Sequence, residues 1–406
     1  MRRVLALTFS CWPTGNRVVR ILQVHNFYQQ PGGEDQVYLA EFDLLQRHGD
    51  IVEQHSVHND SITGESKVKV ALQTIWNHDS YARFQKAIER FRPDVIHCHN
   101  TFPIVSPAIY YAAHRAGVPV AQTVQNYRLI CPAATLLREG RICEDCVGHS
   151  VPYPGVVHNC YHGSRLASAT VAAMLTTHRL AGTWNTKVQR YIAPTGFVRS
   201  KLIEGGLPAA RVVVKPNFLA TDPGIGSGEG KYALFVGRLS PEKGLATLLR
   251  AWQKIPDIPL RIVGDGPLRE FVAAEAGKLP NVSAVGFKAR PEVLQFVKNA
   301  ALLIVPSEWY EGFPMTVVEA MGCGTPVVAS RLGSLAEVIE DGVNGAHFEP
   351  RNSDGLALQV RRFLSNPAVL RDMRQTVRQR YEERYSAEQN YPQLRRIYEA
   401  MSGADA

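Results

Sequence analysis

The stretch from Ala301 to Ser330 leaves this chain few folds to choose from. An apolar run, Ala301-Leu-Leu-Ile-Val305, reads as a buried strand of about four to six residues. A loop follows, then a short helix expected from about Pro314 to Met321, then a second buried strand at Thr325-Pro-Val-Val-Ala329. Pro314 falls in the first helical turn, where its missing N–H would lack a partner anyway. Gly322 and Gly324 stop the helix. The loop therefore lies beyond the carboxyl end of a strand, the place where open α/β sheets bind ligands. Two carboxylates mark it, Glu311 in the loop and Glu319 inside the helix. The free N–H groups of the helix point into the same space and favour an anion.

An anion cradle beside two hydroxyl-accepting carboxylates suits a nucleotide sugar, with the diphosphate at the helix end and diols on the acids. A loop glutamate and a helix-surface glutamate are the plainer alternatives, and either residue taken singly fits them.

The rest of the chain repeats the same rhythm. In the first half, strands are expected at Arg17–Val24, Ile51–Val57, Pro93–Cys98, Val118–Val124, Tyr191–Ala193 and Arg211–Val214. Helices are expected between them at Glu34–His48, Tyr81–Phe91, Ala108–Ala116, Leu166–Leu180 and Phe197–Glu204, two of them closed by Gly49 and Gly117. Residues 128–163 break the pattern and read as an inserted loop. Lys215 to Glu229, rich in proline and glycine, reads as a linker. The pattern then restarts with a strand at Tyr232–Val236, the loop Gly237–Gly244, a helix to Lys254, Pro259–Val263 leading into Gly264–Pro267, Val282–Val285, and a helix near Pro291–Asn299. From about Asp354 the chain is helical and arginine-rich. Alternation with short connections calls for parallel sheets sandwiched by helices. The expected architecture is α/β, with two facing Rossmann-like doubly wound domains and a ligand cleft between them. Residues 1–218 form the first domain, carrying the insert, and 219–385 the second. A last helix, 386–406, packs back toward the first.

A length of 406 residues allows two to three such domains. No window approaches the roughly 18 apolar residues needed to cross a bilayer. Met1–Trp12 has two arginines and a short apolar run but no small-x-small cleavage site, so it is not read as an export signal. With no such signal, seven cysteines argue for a reducing, cytoplasmic setting rather than a disulfide framework. Charge is uneven. Residues 1–218 hold 23 Lys+Arg against 15 Asp+Glu, whereas 219–406 hold 22 of each. A basic first half is compatible with peripheral contact at the inner membrane face, and equally with a scattered, solvated surface.

Four motifs now carry a family likeness. Gly237-Arg-Leu-Ser-Pro-Glu-Lys-Gly244, Gly264-Asp-Gly-Pro267, the Glu311 to Glu319 pair, and its continuation Glu319-Ala-Met-Gly-Cys-Gly-Thr-Pro-Val-Val-Ala-Ser330 resemble retaining glycosyltransferases of family 4. That family has the GT-B architecture of two facing Rossmann-like domains. The likeness is specific over residues 230–345 and looser over the first half. It implies a nucleotide diphosphate sugar as donor, of UDP or GDP type, and no catalytic divalent metal. Glu319 would then accept bonds from the ribose hydroxyls, and Glu311 would hold a hydroxyl of the transferred sugar. Arg238 and Lys243 would bind the diphosphate and stabilise the leaving group. Backbone near Gly286-Phe287 would face the base. Gly237, Gly266, Gly312, Phe313 and Pro314 would shape the donor pocket. Gly32 and Gly33, opening a helix in the first domain, would let backbone approach the phosphates.

The chain departs from the family pattern where a histidine commonly follows the fourth strand. In Gln122-Thr-Val-Gln-Asn-Tyr-Arg-Leu-Ile-Cys-Pro132 that place is held by Gln125. An amide can bond a sugar hydroxyl but cannot act as acid or base at neutral pH. In a front-face retaining mechanism the departing phosphate takes the acceptor proton, so the change need not end activity. His97 and His99 share one face of their strand by alternation, and His99 is the acceptor-side candidate.

Cys131, Cys143, Cys146 and Cys160 fall in a Cys-x11-Cys-x2-Cys-x13-Cys arrangement inside the insert. Four thiolates suit a closed structural zinc site. The lone Cys131 makes the spacing atypical, and free thiols or a redox-labile pair stay open. His149, His158 or His162 could replace a thiolate.

Three functions compete. The first is a retaining hexosyltransferase acting on a glycan or lipid-linked acceptor in cell-surface polysaccharide or glycolipid synthesis. The second is a nucleotide-sugar epimerase or isomerase with two such domains, a class that lacks the Arg238/Lys243 loop joined to the Glu311/Glu319 pair. The third is a basic, zinc-containing nucleic-acid binder, against which stands the lack of any aromatic–basic strand or recognition helix.

Overall fold

A computed structural model describes residues 18–29 and 32–402 of the chain, the Ser402 side chain excepted. The expectations for Met1–Trp12 and Arg17 lie outside these residues.

Two six-stranded, wholly parallel sheets are present. The first is built from β1 (Arg20–Phe27), β2 (Ile51–His58), β3 (Val95–Cys98), β4 (Val120–Thr123), β7 (Arg190–Ala193) and β8 (Val212–Val214), in the order β2-β1-β3-β4-β7-β8. Between β4 and β7, residues 128–163 form an antiparallel hairpin, β5 (Leu137–Arg138) and β6 (Arg141–Ile142), and a short helix, Tyr153–Val157. The second sheet contains β9 (Ala233–Val236), β10 (Leu260–Val263), β11 (Val282–Gly286), β12 (Leu302–Val305), β13 (Val327–Ser330) and β14 (Gly345–Phe348), ordered β11-β10-β9-β12-β13-β14. In each sheet the strand order reverses beside its first strand. That reversal opens a crevice at the carboxyl ends, between β1 and β3 in one sheet and between β9 and β12 in the other. The loops after these four strands are therefore the ones able to build a site.

Alternation along β1 divides the first core in two. Leu22 and Val24 join Ile96, Cys98, Phe84 and Ile109 on one face. Val19 and Ile21 join Val95, Ala121 and Ile192 on the other, together with Leu394, Tyr398 and Met401 from the last helix, Ala387–Ser402. The chain thus leaves the second sheet through the Pro367–Arg384 helix, whose Leu370, Met373, Val377 and Tyr381 belong to the second core, and returns to cover the first. Each of these large apolar side chains contributes about 1.5–3 kcal/mol by leaving water. That is enough to bind the closing helix to the opposite half.

Some expectations shift. The first strand begins later and runs on to Phe27, because β2 pairs with it in register as far as His58. A helix at Lys67–Ile75 occupies what reads as a variable polar stretch; its Lys-Val-Lys-Val start mimics strand alternation. The Gly333–Val338 helix and β14 carry too few residues for a period to show.

Candidate active site between the two sheets

The second half supplies most of one wall of a cavity of about 830 Å³, lined by Gly237, Arg238, Gly264, Gly266, Phe287 and, from the first half, Gly32. Three loops meet here because their backbones are stitched together. Gly237 N donates to Val263 O at 3.1 Å, Leu239 N to Asp265 O at 2.8 Å, and Gly264 N to Gly286 O at 2.9 Å. A Cβ on Gly264 would stand 1.9 Å from Gly237 O, and its φ of +146° is foreign to L side chains. Glycine is therefore required for the β9 and β10 loops to touch. Arg238 is exposed on this wall, and Phe287, 75% exposed, stands at the rim.

Glu311 sits at the inner end of the loop after β12. Lys243 Nζ donates to its Oε1 at 2.7 Å, and Ser307 Oγ donates to the same oxygen at 2.7 Å. Burial works against ionisation of Glu311, but Lys243 and the Ser307 hydroxyl overcome it and hold the carboxyl below its ordinary value. Glu319, one helix further on, is 7% exposed and has Arg290 Nε at 3.3 Å. There burial prevails over Arg290, and the carboxyl is raised. The two acids that the loop–helix pattern singles out are both buried, and their environments push them in opposite directions.

The first half closes onto this loop. A Cβ on Gly312 would lie 2.4 Å from Gln125 O, so the loops after β4 and β12 are in backbone contact. Gly33 opens the Gly33–Arg47 helix, and a Cβ there would touch Met315, the first residue of the Met315–Gly322 helix. Two helix N-termini thus converge on one space. Across the remaining interface, Glu337 accepts from Gly196 N and Phe197 N, both at 2.8 Å, and Thr195 Oγ1 lies 2.9 Å from Ser334 Oγ.

Gln125 is already engaged. Its amide exchanges two 2.8 Å bonds with Asn217, Nε2 to Oδ1 and Nδ2 to Oε1. A side chain committed in this way ties the β4 loop to the segment after β8. His99 lines a small cavity of about 40 Å³ with Gln125, Glu34, Asn126 and Arg128. Its ring is buried, with Nε2 3.2 Å from Glu41 Oε2. Phe313 is not part of the Arg238 cavity. Its ring stands 6.0 Å from that of Tyr385, in a separate cavity with Thr195, Pro216 and Glu337. Pro314 is the N-cap of the helix rather than its first residue, with φ −79° and ψ 97°. The four insert cysteines form a group of their own around a cavity of about 10 Å³.

Two features carry no sequence motif. Glu34 follows Gly32-Gly33 directly, and its Oε2 accepts from Tyr28 Oη at 2.6 Å and from Asn126 Nδ2 at 3.1 Å. Burial raises this carboxyl despite those bonds. The second is a buried knot. Lys215 Nζ donates to Glu41 Oε1 at 2.8 Å and to Asn390 Oδ1 at 2.9 Å. His97 bonds Tyr398 Oη through Nδ1 at 2.8 Å and Thr123 Oγ1 through Nε2 at 2.7 Å. The partners lie up to 301 positions apart, so only a lysine or glutamate standing inside an apolar pattern could have flagged them.

Comparison with known proteins follows the same division. The family model for "Glycosyl transferase 4-like domain" matches residues 57–217, and that for "Glycosyl transferases group 1" matches 223–380. A glycogen synthase of Mycobacterium tuberculosis is 30% identical over 297 residues, 71% of this chain and 64% of that protein. A lipopolysaccharide 1,2-N-acetylglucosaminetransferase of Salmonella typhimurium is 30% identical over 204 residues, 44% of this chain and 53% of that one. The chain thus spans less than two thirds of either relative's length. The crystal structure of Anabaena Alr3699/HepE in complex with UDP superposes with a TM-score of 0.67 at 18% identity, covering 93% of this chain and 98% of that one. No helix among the described residues is long and apolar enough to cross a membrane. Matched by these two models over its two halves, and folded as two facing parallel sheets, the chain belongs to the group 1 glycosyltransferases of GT-B architecture.

Proposed function

We propose that the chain transfers a sugar, with retention, from a nucleotide diphosphate sugar to a glycan or lipid-linked acceptor. The observation that carries this reading is the Lys243–Glu311 pair at 2.7 Å beside the Arg238 cavity. A lysine ammonium has three donors. One is spent on Glu311, and the others can reach a diphosphate lying between Arg238 and the N-terminus of the Met315–Gly322 helix. The same cation would then fix the carboxylate that holds the sugar and neutralise the charge that grows on the leaving phosphate. Two cations and a helix N-terminus supply this without a divalent metal. Glu319 would take the ribose diol, displacing or sharing Arg290. Gly266 and Gly237 leave room for the nucleotide, and Phe287 offers a rim against the base. Gly33 would bring a backbone N–H from the other half, that of Gly32 being bonded to Asp35 Oδ2 at 2.7 Å.

In the retaining step, the bond from the anomeric carbon to the diphosphate oxygen breaks. The acceptor oxygen bonds the same face, and its proton passes to the departing phosphate. No protein base is needed, which accords with Gln125 being bonded to Asn217 instead of standing free. The acceptor enters from the Glu34, His99 and Arg128 side. The glycan chemistry of both relatives, glycogen in one and lipopolysaccharide in the other, supports a cell-surface or storage glycan.

The experiment is a thermal-shift screen of nucleotide sugars, then turnover with those that bind. Release of nucleoside diphosphate only when acceptor is added, and an axial-to-axial or equatorial-to-equatorial product by NMR, is the expected result. Interconversion of the donor without acceptor would instead establish an epimerase.

A further inference from the structure

We infer that Cys131, Cys143, Cys146 and Cys160 hold one zinc ion as a tetrathiolate, which fixes the insert against both halves of the molecule. These residues are separated by up to 29 positions, yet they surround a single cavity of about 10 Å³, together with Arg138 and Asp145. Each is placed by rigid backbone. Cys131 N bonds Tyr127 O at 2.9 Å, Cys143 N bonds Leu136 O at 2.9 Å, and Cys160 N bonds Gly155 O at 2.9 Å. The Cys143-Glu-Asp-Cys146 turn closes with Val147 N on Glu144 O at 2.8 Å. Gly155 packs so closely on Pro132 that a Cβ would meet its ring at 2.7 Å. All four cysteines are free thiols.

Zinc–thiolate bonds of about 2.3 Å place the sulfurs of a tetrahedral site about 3.8 Å apart. Among the described residues, the trio whose ligand atoms all lie within 4.8 Å of one another is Glu41, His97 and His99. The cysteine sulfurs stand wider and would turn inward on binding, a side-chain rotation that the fixed backbone allows. The Glu41 trio is excluded as the metal site, because Lys215 Nζ already supplies a cation to Glu41 and both His97 nitrogens are bonded. Four thiolates around Zn²⁺ leave a net charge of −2, and the Arg138 guanidinium faces it while pairing with Asp145 at 2.6 Å.

An insert with strands of two residues and a helix of five has little core of its own, the setting in which a metal supplies folding energy. It also has work to do. Arg351 of the second half donates to Gly140 O at the hairpin tip and pairs with Glu308 at 2.8 Å. Glu144 pairs with Lys201 at 2.9 Å, and Lys201 lies over the Tyr310 ring, next to Glu311. The insert therefore braces the Glu311 loop from two sides.

The test is metal analysis of the full chain purified without chelator, with no donor or acceptor present, so its outcome is separate from that of the transferase reading. About one equivalent of zinc is expected, released together with four titratable thiols. Cys143→Ser and Cys160→Ser should each lower the zinc below about a fifth of an equivalent. If those variants do not fold, cobalt substitution of the unaltered chain should give the thiolate-to-cobalt charge-transfer absorption of a tetrahedral sulfur site. Less than about a tenth of an equivalent of zinc, a Cys143–Cys146 disulfide by mass spectrometry, or full zinc in the serine variants would overturn the inference.

Discussion

Two lysine–glutamate pairs with almost the same geometry do different work in this molecule. Lys215 and Glu41 meet at 2.8 Å with their side chains 1% and 0% exposed; Lys243 and Glu311 meet at 2.7 Å with 25% and 8%. Around the first, the neighbours are all buried protein groups. Asn390 takes a second lysine donor, and His97, Thr123 and Tyr398 continue the network into the helix that crosses back from the other half. Around the second, the lysine side chain is a quarter exposed with one hydrogen bond, to Glu311, and the carboxylate shares that oxygen with Ser307. A buried ion pair stabilises only if its remaining bonding capacity is met. In the Lys215 pair the lysine bonds Glu41 and Asn390, the second Glu41 oxygen has His99 Nε2 at 3.2 Å without a hydrogen bond, and the group joins three distant segments. The Lys243 pair leaves capacity unspent, and unspent capacity at a cleft is what a charged ligand can use. Distance alone does not separate scaffold from site; the partners beyond the pair do.

The comparison can be broken most forcefully at Lys215. Lys215→Met strands the Glu41 carboxylate in the core and should cost about 3–5 kcal/mol, read as a large drop in Tm. Restoring most of that loss by adding Glu41→Gln would support the scaffold role. The same network fixes an acid dependence. Burial favours the neutral form of the Glu41 carboxyl, but Lys215 beside it, with His97 and His99, holds it well below the usual carboxylate range. Its stabilisation is present above the ordinary carboxylate value and is lost as pH falls through the depressed folded value. Burial pushes His97 down to about 3, so the unfolded chain binds a proton from about pH 6.5 downward that the folded chain does not. Stability should therefore begin to fall below about pH 6.5 and keep falling toward 3. A flat Tm between pH 7 and 4.5 would contradict this.

Smaller in energy but larger for function, Glu311→Gln should cut turnover by roughly 100- to 1000-fold, the scale for losing one group that acts at the reacting centre, with Tm near that of the unaltered chain. Arg238→Ala should raise donor KM by about 10- to 100-fold, the loss of one charge-assisted bond, with little change in melting. The mildest effect should follow Gln125→Ala, about 1 kcal/mol of stability through the lost amide pair with Asn217 and a turnover within a few-fold. A collapse of turnover there would assign the amide to the acceptor.

Much of the architecture was legible from period alone. Strands such as Leu302–Val305 are apolar throughout because both faces are covered, and Gly or Pro marks the stops around Met315–Gly322. The places of Glu311 in the loop and Glu319 on the helix were legible too, since a carboxylate inside so apolar a frame is conspicuous. What escaped depends on separation in sequence. Nothing local in Lys215 announces Glu41, 174 positions earlier, and spacing does not record which way the Phe313 ring turns, here toward Tyr385. Lys67–Ile75 escaped because the residues between Val57 and Tyr81 read as a variable polar stretch.

The most direct measurement compares Lys243→Met with Lys215→Met in one experiment, following both acceptor-dependent release of nucleoside diphosphate and thermal melting. Lys243→Met is predicted to lose turnover by at least about 100-fold and to melt near the unaltered chain, while Lys215→Met loses its melting temperature. Near-normal turnover from Lys243→Met, with whichever nucleotide sugar the chain binds, would contradict the account.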